Sequence, residues 1–257
     1  MNQRDRRIYL IKSLLEENFR YRNTEIPTDT AEQKQLLRSL LNIRMPKAVN
    51  DEFLKIQNEY LQEETERKGI TDFNDLTPMQ EGIYLWQGDI TTLKCDAIVN
   101  AANSQMLGCF SPCHGCIDNA IHTFSGIQLR NACADIMKRQ GYEEPTGRAK
   151  ITPAFNLPSK YVIHTVGPIV GRSLTHNDCE LLASCYSSCL ELAYENDIGS
   201  IAFCCISTGE FHFPNEAAAE IAVNTVKDFI EETGCDIQVV FNVLKNRDLE
   251  IYRGLLQ

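Results

Sequence analysis

The sequence predicts an α/β fold: a three-layer α/β/α sandwich on a mixed or mostly parallel sheet, preceded by a small N-terminal helical extension. Three observations lead there. From about residue 82, short β-rich runs alternate with helical ones, the pattern of strand, crossover and helix. One run, Ile201-Ala202-Phe203-Cys204-Cys205-Ile206, is apolar throughout, as a strand buried on both faces must be. Residues 1–75, by contrast, space their apolar side chains at helical intervals.

In that first segment Leu36, Leu37, Leu40 and Leu41, then Phe53, Ile56 and Tyr60, recur at helical spacing, with turn signals at Pro27 and Pro46. Three helices are expected over 1–75. They carry no titratable cluster or motif, so they read as an appendage packed on the main domain, with substrate recognition as the alternative role. In the main domain, 76–257, strands are expected at Ile83 to Gln87, Ala97 to Asn100, Tyr161 to Thr165, Ile201 to Ile206 and Ile237 to Val243. Helices should begin near Asp118, Asp178 and Asn215. In such sheets ligands collect beyond the carboxyl ends of the strands.

The 257 residues are 43% hydrophobic, ample for a buried core. A net charge of −10 argues against a nucleic-acid surface, which needs clustered Lys and Arg, and no apolar run reaches the length of a membrane span. Eleven cysteines, an odd number scattered along a long chain, do not suit a secreted disulfide framework; a reducing cytoplasm is the expected compartment.

Residues 109–116, Cys109-Phe110-Ser111-Pro112-Cys113-His114-Gly115-Cys116, are the densest chemistry in the chain. Thiolate and imidazole are the ligands Zn²⁺ prefers, and Pro112 and Gly115 supply turns to wrap a short loop around one ion. The plainer alternative is a Cys-rich loop in a Cys-rich chain. Two thiolates and a neutral imidazole, from Cys109, His114 and Cys116, would balance the ion's charge and leave a fourth position open. Adding Cys113 would close the site and make it anionic, as in a structural zinc.

Around this loop lie Gln87-Gly88-Asp89-Ile90-Thr91, Asp96-Ala97-Ile98-Val99-Asn100-Ala101-Ala102-Asn103-Ser104, Cys116-Ile117-Asp118-Asn119-Ala120-Ile121-His122 and Ile206-Ser207-Thr208-Gly209-Glu210-Phe211. In that order, over about residues 80–257, they resemble the macrodomain family, which binds ADP-ribose. The resemblance implies that the Asp89 carboxylate accepts a hydrogen bond from the adenine amino group while Ile90 gives a backbone contact. It implies that Asn103 addresses the distal ribose, that the helix start at Cys116, Ile117 and Asp118 faces the diphosphate, and that Ser207, Thr208, Gly209 and Glu210 cradle the second phosphate with Phe211 over the ribose. Plainer roles compete: Asp89 as a turn or cap residue, Asn100 as a brace bonding side chain to backbone, and Asp118 as N-cap of one helix running through Ile121, Leu129 and Met137. His122, His164 and His212 read as structural or packing residues.

The common hydrolytic macrodomains place a run of glycines where Leu107-Gly108 here leads into the Cys and His residues. This looks like the zinc-containing microbial branch, which also has an N-terminal helical extension and removes ADP-ribose from modified proteins; its pattern matches the three-ligand set Cys109, His114 and Cys116. The resemblance implies a zinc-dependent hydrolase of the bond between mono-ADP-ribose and an acidic side chain, with Asn103 and Asp118 to orient water. The ion would polarise a ribose hydroxyl or the ester, or activate water. Two rivals are a non-catalytic ADP-ribose reader with a structural zinc, and a structural or redox-sensing zinc loop on a domain that hydrolyses another nucleotide derivative.

Overall fold

The computed structural model describes residues 1–257. Three helices come first: α1 (Gln3–Glu17), α2 (Thr30–Ile43) and α3 (Asp51–Lys68). Each starts on a side-chain cap, from Asn2, Asp29 and Asn50 in turn. They bury a core of their own, with Leu10, Leu14, Leu37, Leu41, Phe53 and Tyr60 around Ile127 of the main domain.

The main domain adds β1 (Thr71–Asp72), β2 (Pro78–Gln80), β3 (Ile83–Gln87), β4 (Leu93–Lys94), β5 (Ala97–Ala102), α4 (Ile117–Ser125), α5 (Ile127–Gln140), β6 (Ala149–Pro153), β7 (Tyr161–Val166), α6 (His176–Glu195), β8 (Ser200–Phe203), α7 (Asn215–Thr233), β9 (Gln238–Val243) and α8 (Asn246–Leu255). Seven strands form one mixed sheet in the order β2-β3-β9-β8-β5-β7-β6; β1 and β4 pair separately. The five inner strands are parallel, and β2 and β6 join antiparallel at the edges. Helices α6, α7 and α8 make one layer, α4 and α5 the other, and α2 and α3 pack behind α4.

The expected three-layer architecture is therefore present, with differences in detail. The apolar run at 201–206 is strand only to Phe203; Cys204 onward is already the loop that leaves the sheet. The expected single helix through Ile121, Leu129 and Met137 is two helices broken at Gly126, whose φ of +91° and close approach to Gln57 no other residue type tolerates well. Strands β2 and β6 and helix α8 went unforeseen. Both strands contain a proline and sit at sheet edges, where a missing N–H donor costs nothing.

Candidate active site

The carboxyl ends of β3, β5 and β8 open toward the start of α4, and the motif residues gather there. Asn100 lies on β5 directly opposite His164 of β7. It is fully buried, and its amide nitrogen contacts Asp118 Oδ1 at 2.8 Å and His164 Nδ1 at 3.1 Å. Asn100 thus braces the site through side chains, not through the backbone bonds expected of it. Asn103, past the end of β5, donates to Gly108 O at 3.2 Å and to Asp118 Oδ2 at 3.4 Å.

Asp118 is consequently held between two asparagines. It is not the N-cap of α4. Cys116 occupies that position, its Sγ accepting from the Asn119 amide at 3.4 Å, and this leaves the Ile117 and Asp118 amides of the first turn without intrahelical acceptors. Burial pushes the Asp118 carboxyl up to about 6, more than its hydrogen bond from Asn100 and the Arg130 charge pull it down. His122 Nε2 lies 3.5 Å from Asp118 Oδ1, yet neither ring nitrogen has a hydrogen-bond partner. Burial, then the nearby His164 and Arg130, keeps His122 neutral by driving its pKa down. His164 is likewise held neutral by burial and also contacts Thr152 Oγ1 at 2.9 Å.

Asp89 caps a single 3₁₀ turn at Ile90–Thr92: its Oδ1 accepts from the Thr91 amide at 3.0 Å and the Thr91 hydroxyl at 2.6 Å. Its Oδ2 pairs with Lys68 Nζ at 2.9 Å. Partial burial raises the carboxyl, but the Lys68 and Thr91 bonds outweigh it and hold the group below its usual range. Ile90 is buried. Lys68 also lies 3.3 Å over the Phe124 ring, beside a cavity of about 390 Å³ between α2, α3 and α4.

The segment Ser207–Phe211 follows β8 as an irregular loop. Ser207 has φ +63° and a buried hydroxyl with no partner, while Phe211 O accepts from the Val170 amide at 2.9 Å. Thr208 and Phe211 are half-buried, Gly209 and Glu210 exposed, and Glu210 Oε1 reaches to 3.6 Å from His114 Nε2.

The metal-loop residues divide cleanly. The ligand atoms of Cys109, His114 and Cys116 all lie within 4.8 Å of one another. Cys113 turns the other way, its Sγ 3.2 Å from Ser39 Oγ and 3.4 Å from Gln35 O on α2. His114 Nδ1 is buried without a partner, and burial pushes the Cys116 thiol up to about 12, so ionising it there requires a cation nearby. The donor set therefore fits Zn²⁺. Gly108, at φ +80°, leads into the loop where any Cβ would meet the His122 ring at 2.7 Å.

Comparison with known proteins adds a second line. A model of the Macro domain matches residues 99–222. A protein-ADP-ribose hydrolase of Treponema medium is 58% identical over 260 residues, covering all of both chains. The chain belongs to the macro domain family. A protein-ADP-ribose hydrolase of Staphylococcus aureus (strain MSSA476) is 49% identical across 89% of this chain and 86% of its own. Among solved structures, the Trypanosoma brucei macrodomain in complex with ADP-ribose aligns with a TM-score of 0.67 at 29% identity, covering 86% of this chain and 95% of that one. The Oceanobacillus iheyensis macrodomain with MES bound aligns at 0.63 and 39%, covering 70% and 94%.

Sequence reasoning missed the residues that support this macro domain site from a distance. Lys68 reaches Asp89 from α3, Arg38 and Asn42 reach the Cys109–Cys116 loop from α2, and Arg130 Nη1 donates to Leu41 O at 3.0 Å and Asn42 O at 2.9 Å. All are ordinary polar residues on helices with no motif to mark them. No helix is long and apolar enough to cross a membrane.

Proposed function

We propose that the protein is a hydrolase that removes mono-ADP-ribose from modified protein side chains, acidic and ester-linked ones in particular, using zinc held by Cys109, His114 and Cys116. One observation carries the reading: three metal-competent side chains converge on a loop that runs from the Asn103 segment into the helix start bearing Asp118. The relatives named protein-ADP-ribose hydrolase, one of them matching over its whole length, support the same activity.

In this reading Asp89 and Ile90 hold the adenine end. The free amides of Ile117 and Asp118 meet one phosphate, and the Ser207–Phe211 loop, with the unpartnered Ser207 hydroxyl, meets the other. Asn103 binds the distal ribose. Held by Cys109, His114 and Cys116, zinc would supply a Lewis acid and would lower the pKa of a bound water toward ~7. The Asp118 carboxyl, poised near 6 and fixed by Asn100 and Asn103, accepts the proton that water gives up, and its burial keeps competing solvent away. Glu210, with Oε1 3.6 Å from His114 Nε2, places a negative charge beside that ring. The eleven free thiols suit a reducing compartment such as the cytoplasm.

The test is incubation of the protein with mono-ADP-ribosylated proteins of defined linkage, before and after metal removal, with released ADP-ribose as the readout. Release that stops on chelation and returns with zinc supports the reading. Tight ADP-ribose binding without release would make the protein a reader. Release unaffected by chelation would sink the metal's role.

A further inference from the structure

We propose that α2 of the appended helices is the frame of the metal loop, with Arg38 and Asn42 as positioning residues for His114; this rests on the zinc reading above. Within Cys109–Cys116 the main chain makes one hydrogen bond to itself, His114 N to Ser111 O at 3.2 Å. A loop so loosely self-bonded does not fix three ligands by its own geometry, and ordering it costs backbone entropy at every residue. The missing constraints come from α2.

The chain on both sides of His114 is pinned to that helix. Before it, the Cys113 amide donates to Asn42 Oδ1 at 2.9 Å, in a residue whose φ of +54° needs holding. After it, the His114 carbonyl accepts from Arg38 at 2.9 Å. The two side chains stand one turn apart on α2 and so present one face to the loop. Their second contacts run into α4. Asn42 is buried and donates to Thr123 Oγ1 at 2.9 Å, and Arg38 forks onto Asn119 Oδ1 at 2.8 and 3.2 Å.

Asn119 in turn donates to Ser111 O at 2.9 Å and Cys109 O at 3.4 Å, while its amide meets the Cys116 sulfur. Every ligand-bearing stretch of the loop is thereby referred to α2 or to the α2–α4 seam. The Cys113 thiol belongs to the same frame: facing Ser39 and the Gln35 carbonyl, it anchors the loop from outside the donor set. The extension thus acts on the chemistry by preorganising the metal site.

The experiment measures zinc affinity by competition with a chromophoric chelator, and melting temperature of the metal-stripped protein, for the full chain and four variants. Arg38→Met and Asn42→Ala cut the two pins. Ile56→Val, in the core of the extension and away from the loop, controls for plain destabilisation, and Cys116→Ser removes a ligand. The full chain should bind one zinc and Cys116→Ser none. Arg38→Met and Asn42→Ala should raise the zinc Kd roughly 10- to 100-fold, the usual cost of losing a partner that orients a metal ligand. Ile56→Val should leave that Kd unchanged while lowering the melting temperature. Should Asn42→Ala fail to fold, half-buried Arg38→Met decides alone. Unchanged zinc Kd in the Arg38 variant, with the full chain still binding one zinc, overturns the proposal and leaves the zinc reading intact. A full chain that binds no zinc overturns the reading and the proposal together.

Discussion

Asp89 offers the sharpest test of how the nucleotide lies, because the structure accounts for most of its carboxylate. Oδ1 is occupied twice by Thr91 and Oδ2 once by Lys68. Of about four lone-pair positions, one on Oδ2 remains, enough for a single N–H from the adenine amino group. A hydrogen bond to a charged acceptor contributes about 1.5–3 kcal/mol, so Asp89→Ala should raise the ADP-ribose Kd by roughly 10- to 150-fold. The same substitution removes the cap of the 3₁₀ turn, at about 1 kcal/mol of folding stability, and an ion pair at the surface whose partners are one-third and two-fifths exposed, which contributes little. Those structural losses would act on any ligand equally. Calorimetric titration with ADP-ribose and with its hypoxanthine analogue separates the two effects, since the analogue has a carbonyl where adenine has its donor. Asp89→Ala should weaken ADP-ribose and leave the analogue unchanged or slightly tighter. Equal losses for both ligands would remove Asp89 from adenine recognition and leave it as a turn cap.

Cys116→Ser or His114→Ala should abolish zinc content and hydrolysis, whereas Cys113→Ser should keep both nearly intact, since a hydroxyl can replace that thiol against the Gln35 carbonyl; elemental analysis alongside turnover checks this, and zinc loss in the Cys113 variant would refute the ligand set. Deleting residues 1–69 strips Arg130 of its acceptors on Leu41 and Asn42 and exposes Ile127, so melting temperature or solubility should fall; a truncated protein that stays stable and loses turnover only on protein substrates would make the segment a recognition element. Asp118 has a folded pKa raised above its unfolded value, so its contribution is fully favourable below about 4 and is lost as pH rises through about 6. In metal-stripped protein Asp118→Asn should therefore stabilise the fold above pH 7 by roughly 3 kcal/mol, read as a higher melting temperature, with little gain near pH 4; a gain independent of pH would refute the assignment of that buried charge.

The central strands were legible because burial on both faces leaves a continuous apolar signature, as in Ile201–Phe203 and Val239–Phe241. The edges were not. Pro78-Met79-Gln80 and Ala149–Pro153 owe their strand conformation to a neighbour's ladder, which no local pattern announces. The grouping of Cys109, His114 and Cys116 was visible because eight consecutive residues bring them together. The supports around them were invisible for the opposite reason: Arg38 meets His114 across 76 residues and Lys68 meets Asp89 across 21, contacts made by topology alone. Helix caps sit between these cases. Asp118 looked like a cap by residue type, but the chain turns two residues earlier and gives the position to a cysteine.

That cysteine has a thermodynamic consequence. A single sulfur both closes the first turn of α4, whose free amides are proposed to meet the diphosphate, and belongs to the metal-competent cluster. Any cation that fixes Cys116 also fixes those amides, and any anion seated on them holds the sulfur in place. The two binding equilibria then share one ordering step, and linkage makes their coupling reciprocal: whatever factor the metal adds to nucleotide affinity, the nucleotide returns to metal affinity. On the proposed function, product ADP-ribose would therefore slow the escape of the ion, and the protein would hold its zinc best while its cleft is filled.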